Sequence, residues 1–189
     1  MRTCTLRRKT QETDITVKIN LDGSGRVQVS TGFKFFDHML SSLGKHGRID
    51  LEVKATGDLS HHVIEDVGIC IGQALDKVLA DRRGIARMGD AVIPMDDALV
   101  LVAVDLSGRA YSDISLKLRK KRIEDVSSDI LKHFLDTFAK NGRFNLHIMV
   151  LKGENDHHKV EAAFKALGIA LKKAVQVVGR EVPSTKGVL

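Results

Sequence analysis

"HMLSSLGKHGRIDLEV", residues 38–53, is followed 95 positions later by "HFLDTFAKNGRFNLHI", residues 133–148. Both copies begin with His, and both carry a Lys two residues before a "GR" pair. Apolar residues recur at helical spacing before that pair and alternate with polar residues after it, which predicts a helix followed by a strand. Self-similarity over a stretch of this length indicates an internal duplication. The sequence therefore predicts two halves built on one plan.

Each half is predicted to hold three strands, a short helix and a long helix. The strands are "ITVKINL", "RVQVST" and "RIDLEVKA" in the first half, and "LVLVAVDL", "YSDISLKL" and "RFNLHIMVLK" in the second. The short helices are "FFDHMLSSLGKH" and "DILKHFLDTFAKN". Each long helix opens at a His-His pair and has one apolar face, which predicts packing on a sheet. The expected fold class is an α+β sandwich of mixed sheets and helices with pseudo-twofold symmetry.

The two halves, approximately residues 1–88 and 89–189, are expected to form a single integrated domain. Their junction, "MGDAVIPMDD" at 88–97, is short, and no low-complexity linker separates them. A chain of 189 residues can bury a core without disulfides or a structural metal. Any metal site in this chain is therefore expected to be functional.

The long helices begin with the stretches "SHHVIED" at 60–66 and "DHHKVEA" at 156–162, each a His pair with Glu three residues after it. Residues four apart share one face of a helix, so His61 with Glu65, and His157 with Glu161, each present two ligands in one direction. The second His of each pair lies about 100° around the helix axis. It is expected to face a different ion or a different subunit. With no Cys in the set, manganese or iron is as plausible as zinc.

A single HxxxE on a helix is more often a surface hydrogen-bonded pair than a ligand set, but the duplication favours a metal. Six of the eight histidines occupy positions matched by the repeat: His38, His61, His62, His133, His157 and His158. Two groups of three His and one Glu are enough for two metal centres. The spacing differs from HExxH and HxxEH, in which the Glu lies between the ligands, so a metallopeptidase is disfavoured.

Composition restricts the class of partner. The formal charge is +6, with five basic residues concentrated in "KLRKKR" at 117–122, which is interpreted as a solvated strand end. Nucleic-acid binding is disfavoured because the chain has no Trp and one Tyr, and no basic stretch with interleaved aromatic residues. No apolar run is long enough to span a bilayer. Two Cys, one of them in an apolar run, fit a reducing compartment, so a cytoplasmic protein is expected, and a phosphorylated small molecule stays open as its ligand.

A series of motifs runs in order along nearly the whole chain: "KINLDGSG", "FFDHML", "ATGD", "HHVIED", "DLSGR", "DHHKVEAAFKA" and "PSTKGVL". Together they resemble the imidazoleglycerol-phosphate dehydratase family of histidine biosynthesis. The resemblance implies a duplicated fold of the ribosomal protein S5 domain 2 type and a homo-oligomer of 24 subunits built from trimers. It also implies two Mn²⁺ ions in each active site, located where subunits meet.

The family's site residues are carried over by motif. The resemblance implies eight metal ligands: His38, His61, His62, Glu65, His133, His157, His158 and Glu161. It implies Glu12 as a substrate-contacting acidic residue, and Glu12 is the candidate for the general acid-base residue, a role that metal-bound water could share. Contacts to the phosphorylated imidazole substrate would come from Glu12, His46, Arg87, Arg109, Ser184, Thr185 and Lys186.

The implied reaction converts imidazole glycerol phosphate to imidazole acetol phosphate and water. No carbonyl is available to stabilise the carbanion, so an ion at each ring nitrogen would act as a Lewis acid. The chain departs from the family in having only "LS" between "ATGD" and the first His pair, a shorter loop than in many members, and in having Val63 where Thr is common. Two other functions stay open, a metal-dependent hydrolase of a phosphorylated metabolite and a non-catalytic metal-binding shell.

Overall fold

The structure is a computed structural model that describes residues 1–187 and contains four helices and ten strands in that range. The first half holds strands β1 (Thr3–Lys9), β2 (Thr13–Asn20), β3 (Val27–Ser30) and β4 (Asp50–Gly57), with helices α1 (Lys34–Gly47) and α2 (Ser60–Leu79). The second half holds strands β5 (Met88–Met95), β6 (Ala98–Asp105), β7 (Tyr111–Ser115), β8 (Arg122–Ile123), β9 (Val126–Ser127) and β10 (Asn145–Lys152), with helices α3 (Ser128–Gly142) and α4 (Asp156–Ala174).

Two four-stranded sheets have the same order, β1-β2-β4-β3 in the first half and β5-β6-β10-β7 in the second. Most neighbouring strands are antiparallel, whereas β3 runs parallel to β4 and β7 parallel to β10. Both sheets are therefore mixed, as predicted. The registers also match, since Asn20 lies opposite Asp50 in the first half and Asp105 opposite Asn145 in the second.

The predicted junction at 88–97 is wrong, because Met88–Met95 forms β5 and pairs along its whole length with β6. This strand was not predicted from the sequence because it contains Gly89 and Pro94, two residues that usually interrupt strands. Pro94 is accommodated because β5 is an edge strand. Strand β1 was also missed, and it occupies the same edge position in the first half.

The helices lie between the two sheets. Helices α1 and α2 cover the first sheet, α3 and α4 cover the second, and the layers meet where α2 packs on α3 and α1 on α4. One continuous apolar cluster spans both halves and includes the stacked or edge-on rings of Phe36, Phe134 and Phe164. None of the helices in the described range combines the length and apolarity that a bilayer crossing requires. That the halves fold as one domain stays a prediction.

Paired glycines allow the helices to approach closely. A Cβ on Gly72 of α2 would lie 2.8 Å from the backbone nitrogen of Gly142 in α3. A Cβ on Gly47 of α1 would lie 3.0 Å from the carbonyl oxygen of Gly168 in α4. The internal repeat relates these two contacts to each other. The duplicated halves thus pack on one another through duplicated backbone contacts.

A β-bulge accounts for the change in repeat spacing from 95 to 96 residues. In β10 the register with β6 shifts between Val150 and Lys152, so one residue of β10 has no opposite partner. The pairing of β4 with β2 continues without a shift to Gly57. The extra residue is absorbed before α4 begins, and the second His pair keeps the position that the first has on α2.

The outer faces of the two sheets differ in polarity although they have the same register. Across the first sheet Arg7, Thr16 and Lys54 lie side by side on the solvent face. At the equivalent positions the second sheet has the apolar row Val92, Leu101 and Met149. Val92 and Met149 are about half exposed, at 47% and 51%. Only the second sheet presents an apolar outer face in the described chain.

Candidate metal centres and substrate site

A first group of potential metal ligands lies where α2 contacts α3. His61 and Glu65 project from consecutive turns at the start of α2, and His133 reaches them from α3. Glu65 Oε1 lies 3.0 Å from His133 Nε2, and its Oε2 lies 3.5 Å from His61 Nε2. The two imidazole rings are stacked with their centroids 5.2 Å apart. All three residues offer donor atoms within 4.8 Å of one another.

A second group lies where α1 contacts α4 and has the same composition. Glu161 Oε2 lies 3.5 Å from His38 Nε2 and 3.4 Å from His157 Nε2. Their donor atoms also lie within 4.8 Å of one another. The repeat relates this group to the first. Each group therefore takes two residues from the long helix of one half and its third from the short helix of the other.

Glu161 is held as a carboxylate in a largely buried position. Its side chain is 8% exposed, and burial works against ionisation. The ammonium of Lys165, 2.7 Å from Glu161 Oε1, and the imidazole of His38 outweigh that effect, so the pKa of Glu161 lies below its usual value. A negatively charged oxygen beside two imidazoles is suited to a divalent cation. Lys165 was not among the predicted residues, although its spacing of four from Glu161 could have identified it.

The geometry of the first group also fits a metal ion. Among the residues that the structure describes, His133 Nε2 is a buried nitrogen without a hydrogen-bond partner, because its approach to Glu65 lacks hydrogen-bonding geometry. Leaving a buried polar atom unpaired costs about 1–3 kcal/mol. Coordination of a cation would satisfy this nitrogen. Two imidazole nitrogens and a carboxylate oxygen suit manganese, iron or zinc.

The second His of each pair points away from both groups, as the helical spacing predicted. His62 Nδ1 lies 2.8 Å from Asp58, and His158 Nδ1 lies 2.6 Å from Asp97. The hydrogen bond to Asp58 raises the pKa of His62. Hydrogen bonds from the backbone N–H groups of Asn155 and Glu154 and from His158 hold the pKa of Asp97 far below its usual range.

Glu12, the predicted acid-base residue, lies in the turn before β2 and beside the start of α2. Its Oε2 is 3.8 Å from His62 Nδ1, beyond hydrogen-bonding distance, and its side chain is 58% exposed. The fold thus places Glu12 next to a predicted metal ligand and leaves its carboxylate accessible. His46 lies on α1 near the second group, where burial and the charge of Lys165 lower its pKa.

The basic run at 117–122 begins two residues after β7 ends, and its last residue, Arg122, opens β8, so most of the run is a loop between two strands and not the end of one. The loop is fastened to the first turn of α4 by a buried ion pair of Asp156 and Lys159. Asp156 Oδ2 accepts the backbone N–H groups of Arg119 and Lys120, both at 2.8 Å. A cleft of about 220 Å³ beside the second group is lined by side chains of both charges, including Lys120, Arg122, Glu124, Asp156, His157 and His158.

The predicted phosphate contacts lie at the other end of the molecule. Arg87 pairs with Asp105 through two hydrogen bonds of 2.7 and 3.0 Å and donates a third to the carbonyl of Pro183. This bond holds the tail segment that contains Ser184, Thr185 and Lys186 next to the end of β6. Arg109 follows the same strand end in the turn after Ser107. The described chain thus gathers these residues at one corner of the second sheet.

Comparisons with known proteins identify the family. The family model described as imidazoleglycerol-phosphate dehydratase matches residues 31–171. Dehydratases of this name from Dehalococcoides mccartyi and Methanosarcina mazei are each 50% identical over 100% of this chain, covering 97% and 100% of their own lengths. The chain belongs to the imidazoleglycerol-phosphate dehydratase family. It is accordingly an enzyme of the hydro-lyase class.

Solved structures of imidazoleglycerol-phosphate dehydratases share the fold. The crystal structure of the Staphylococcus aureus enzyme has a TM-score of 0.85 at 34% identity, covering 93% of this chain and 99% of that one. The Pyrococcus furiosus enzyme, solved in complex with (S)-C348, has a TM-score of 0.83 at 42% identity, covering 97% and 100%. The α+β sandwich with two mixed sheets, predicted from the repeat, is confirmed as the architecture of imidazoleglycerol-phosphate dehydratases.

Proposed function

We propose that this chain catalyses the manganese-dependent dehydration of imidazole glycerol phosphate to imidazole acetol phosphate in L-histidine biosynthesis. Membership of the dehydratase family supports the reaction. The observation that carries the metal dependence is the pair of repeat-related groups, each with two imidazoles and one carboxylate. When bound, two Mn²⁺ ions would supply Lewis acidity to the nitrogens of the substrate ring.

Metal binding and proton transfer are assigned to different residues of the chain. His61, Glu65 and His133 would hold one ion, and His38, His157 and Glu161 the other. His62 and His158 would add ligands toward a neighbouring copy, because they face away from both groups. Glu12 would protonate the departing hydroxyl and accept the proton from the neighbouring carbon, since its carboxylate is exposed and adjacent to His62.

Contacts to the phosphate are proposed for the corner formed by Arg109, Ser184, Thr185 and Lys186. The guanidinium of Arg87 is engaged by Asp105 and Pro183, so its main contribution would be to fix the tail segment in place. Fixing the phosphate would orient the reacting end of the substrate.

The second metal group and the phosphate corner of one chain are too far apart for one substrate molecule. Helix α4 carries Glu161 near its start, and Ala174 at its end accepts the backbone N–H of Arg87. Thirteen residues of helix separate them by roughly 20 Å. The substrate has only three carbons between its ring and its phosphate. A complete site at the second metal group would therefore combine that group of one copy with the phosphate corner of another.

Self-association through the second sheet is proposed as the first step of assembly. Its outer face carries Val92, Leu101 and Met149 where the first sheet carries Arg7, Thr16 and Lys54. A net charge of +6 makes copies of the chain repel each other, so they would meet on a face with little charge. We propose a homo-oligomer in which trimers assemble to a 24-mer.

The decisive experiment measures turnover of imidazole glycerol phosphate by chelator-stripped protein before and after Mn²⁺ is restored. Activity that returns with about two ions per chain, together with an increase in particle mass, supports the proposal. Binding of Mn²⁺ without release of imidazole acetol phosphate would overturn it and favour hydrolysis or metal storage.

In the same assay Glu12→Gln is expected to lower kcat by about 100-fold or more with unchanged metal content. Loss of metal in that variant would make Glu12 structural.

A cytoplasmic location is proposed on the basis of the thiols. Cys4 and Cys70 are both free in the structure. Burial raises the pKa of the Cys70 thiol to about 12, so it is unreactive in the folded chain. A pair of unlinked cysteines fits a reducing compartment.

A further inference from the structure

We propose that Asp58 is a positioning residue that orients His62 and thereby leaves Glu12 free for proton transfer, whereas Asp97, the counterpart of Glu12, is occupied in orienting His158. The inference rests on the proposed dehydratase function and adds a division of labour between the two halves. The evidence for the inference is the set of acidic side chains that face His62 and His158.

The two halves offer the same pair of acidic positions. Strands β2 and β6 each have eight residues, and the residues directly before them are Glu12 and Asp97. Helices α2 and α4 begin at Ser60 and Asp156, and the residues two positions before them are Asp58 and Glu154. Each outward-facing His thus has two candidate carboxylate partners. The halves differ in which of the two they use.

In the first half the partner of His62 is Asp58. Only Asp58 and Leu59 separate β4 from α2, and this short loop sets the carboxylate four residues before His62. Asp58 Oδ1 accepts the backbone N–H of Leu59 at 2.7 Å and lies 2.8 Å from His62 Nδ1. The backbone N–H of Asp58 donates to the carbonyl of Glu12 at 3.1 Å. The Glu12 carboxylate remains 3.8 Å from His62 and 58% exposed.

In the second half the partner of His158 is Asp97. Its Oδ1 lies 2.6 Å from His158 Nδ1, and its Oδ2 accepts the backbone N–H groups of Glu154 and Asn155 at 2.6 and 3.0 Å. Both oxygens are therefore engaged. Glu154, at the position of Asp58, turns instead to an ion pair with Arg119. The acid at the position of Glu12 is unavailable for proton transfer in this half.

A carboxylate on Nδ1 of a histidine keeps the proton on that nitrogen and presents the lone pair of Nε2 outward. Such partners fix the orientation and basicity of metal-binding histidines, and their removal typically weakens metal binding by about 10–100-fold. His62 and His158 are both prepared in this way. In the first half the carboxylate that stays free beside the prepared histidine is Glu12, whereas in the second half it is Asp96, which is 69% exposed and has its Oδ2 3.4 Å from His158 Nε2.

The test is a calorimetric titration of chelator-stripped protein with Mn²⁺. Asp58→Asn keeps the shape of the side chain, and we expect it to raise the Kd of at least one ion by about 10–100-fold without lowering the melting temperature of the stripped protein. Asp81→Asn, the same change of charge in the exposed turn after α2, is the matched control and is expected to leave the Kd unchanged. An unaltered Kd in Asp58→Asn would overturn the inference.

The division of labour is tested by a pair of equivalent substitutions. Glu12→Gln is expected to leave the Kd for Mn²⁺ unchanged, whereas Asp97→Asn is expected to raise it and to lower the melting temperature, because Asp97 also binds the backbone at 154–155. Equal Kd values in the two variants would overturn the assignment. These titrations require no turnover, so inactivity of the unmodified chain would contradict the proposed function and leave the comparison of Kd values intact.

Discussion

At the scale of single residues, spacing along a helix was sufficient to predict two residues of each candidate metal group. His61 with Glu65, and His157 with Glu161, converge because the helix geometry that joins them is local. The third residue of each group, His133 or His38, was identified by the repeat. Asp58 and Asp97 could not be predicted, because their contacts depend on how a loop or a strand end packs against a helix.

Asp50 illustrates a residue-scale contact that predicts pH-dependent stability. Its Oδ1 accepts the backbone N–H groups of Ser24, Gly25 and Arg26 at 2.9–3.0 Å, and its Oδ2 pairs with the Arg26 guanidinium at 2.9 Å. The hydrogen bond from that guanidinium, followed by the backbone bonds, holds the pKa of Asp50 far below its usual range. The folded state therefore favours the ionised carboxylate.

Asp50→Asn is expected to lower the free energy of unfolding by about 2 kcal/mol at pH 7. Because the pKa of Asp50 is depressed in the folded state, its contribution is complete above the unfolded value of about 3.9 and is lost as the pH falls below it. Urea unfolding of both proteins at pH 7 and pH 3 should show the difference shrinking at the lower pH. An equal difference at both values would contradict the assignment.

At the scale of elements, the helices and six of the eight strands in the two large sheets were predicted, whereas β1 and β5, which lie at matching edges of those sheets, were not. Edge strands need pair with only one neighbour, so Gly89 and Pro94 can occur in β5 and obscure its pattern. The two-residue strands β8 and β9 are too short to produce a periodic pattern. The hydrophobic periodicity also did not predict the contact between the helix layers, because that contact depends on glycines that no sequence pattern singles out.

Gly72→Ala tests the close approach of α2 and α3. The added Cβ would lie 2.7 Å from the Asn141 Cβ and 2.8 Å from the carbonyl oxygen of Phe138, so the helices must separate. On an exposed helix face this substitution would stabilise by about 1 kcal/mol. Here it is expected to lower the free energy of unfolding by about 1–3 kcal/mol. Denaturant unfolding measures the change, with Gly179→Ala as a control because its Cβ would meet nothing within 4 Å.

At the scale of the whole molecule, the repeat predicted two equivalent halves, and the structure shows where they differ. The sequence contained the apolar residues of the second sheet's outer face, but it could not show that Val92, Leu101 and Met149 form one row. That row exists only once β5, β6 and β10 are aligned. Because the first sheet carries polar residues at the equivalent positions, the apolar outer face of the second sheet is a candidate interface and not an ordinary solvent-exposed face.

Met149→Lys is expected to prevent assembly of the large particle, because it places an ammonium in the apolar row. Its counterpart in the first sheet is already Lys54, so a lysine is compatible with the fold at this register. Light scattering of the Mn²⁺-loaded protein measures the particle mass. Thr16→Lys adds the same charge to the polar face and is expected to leave the mass unchanged. A full-sized Met149→Lys particle would exclude this face as the interface.

His38 and His133 each complete the metal group of the other half, and this affects how metal-group formation depends on protein concentration. Neither half contains a complete group of two imidazoles and a carboxylate by itself. As separate polypeptides, the halves would have to meet in solution before either group could form. A covalent connection gives each half a permanent partner at an effective concentration in the millimolar range. Both groups can therefore form at any dilution of the protein.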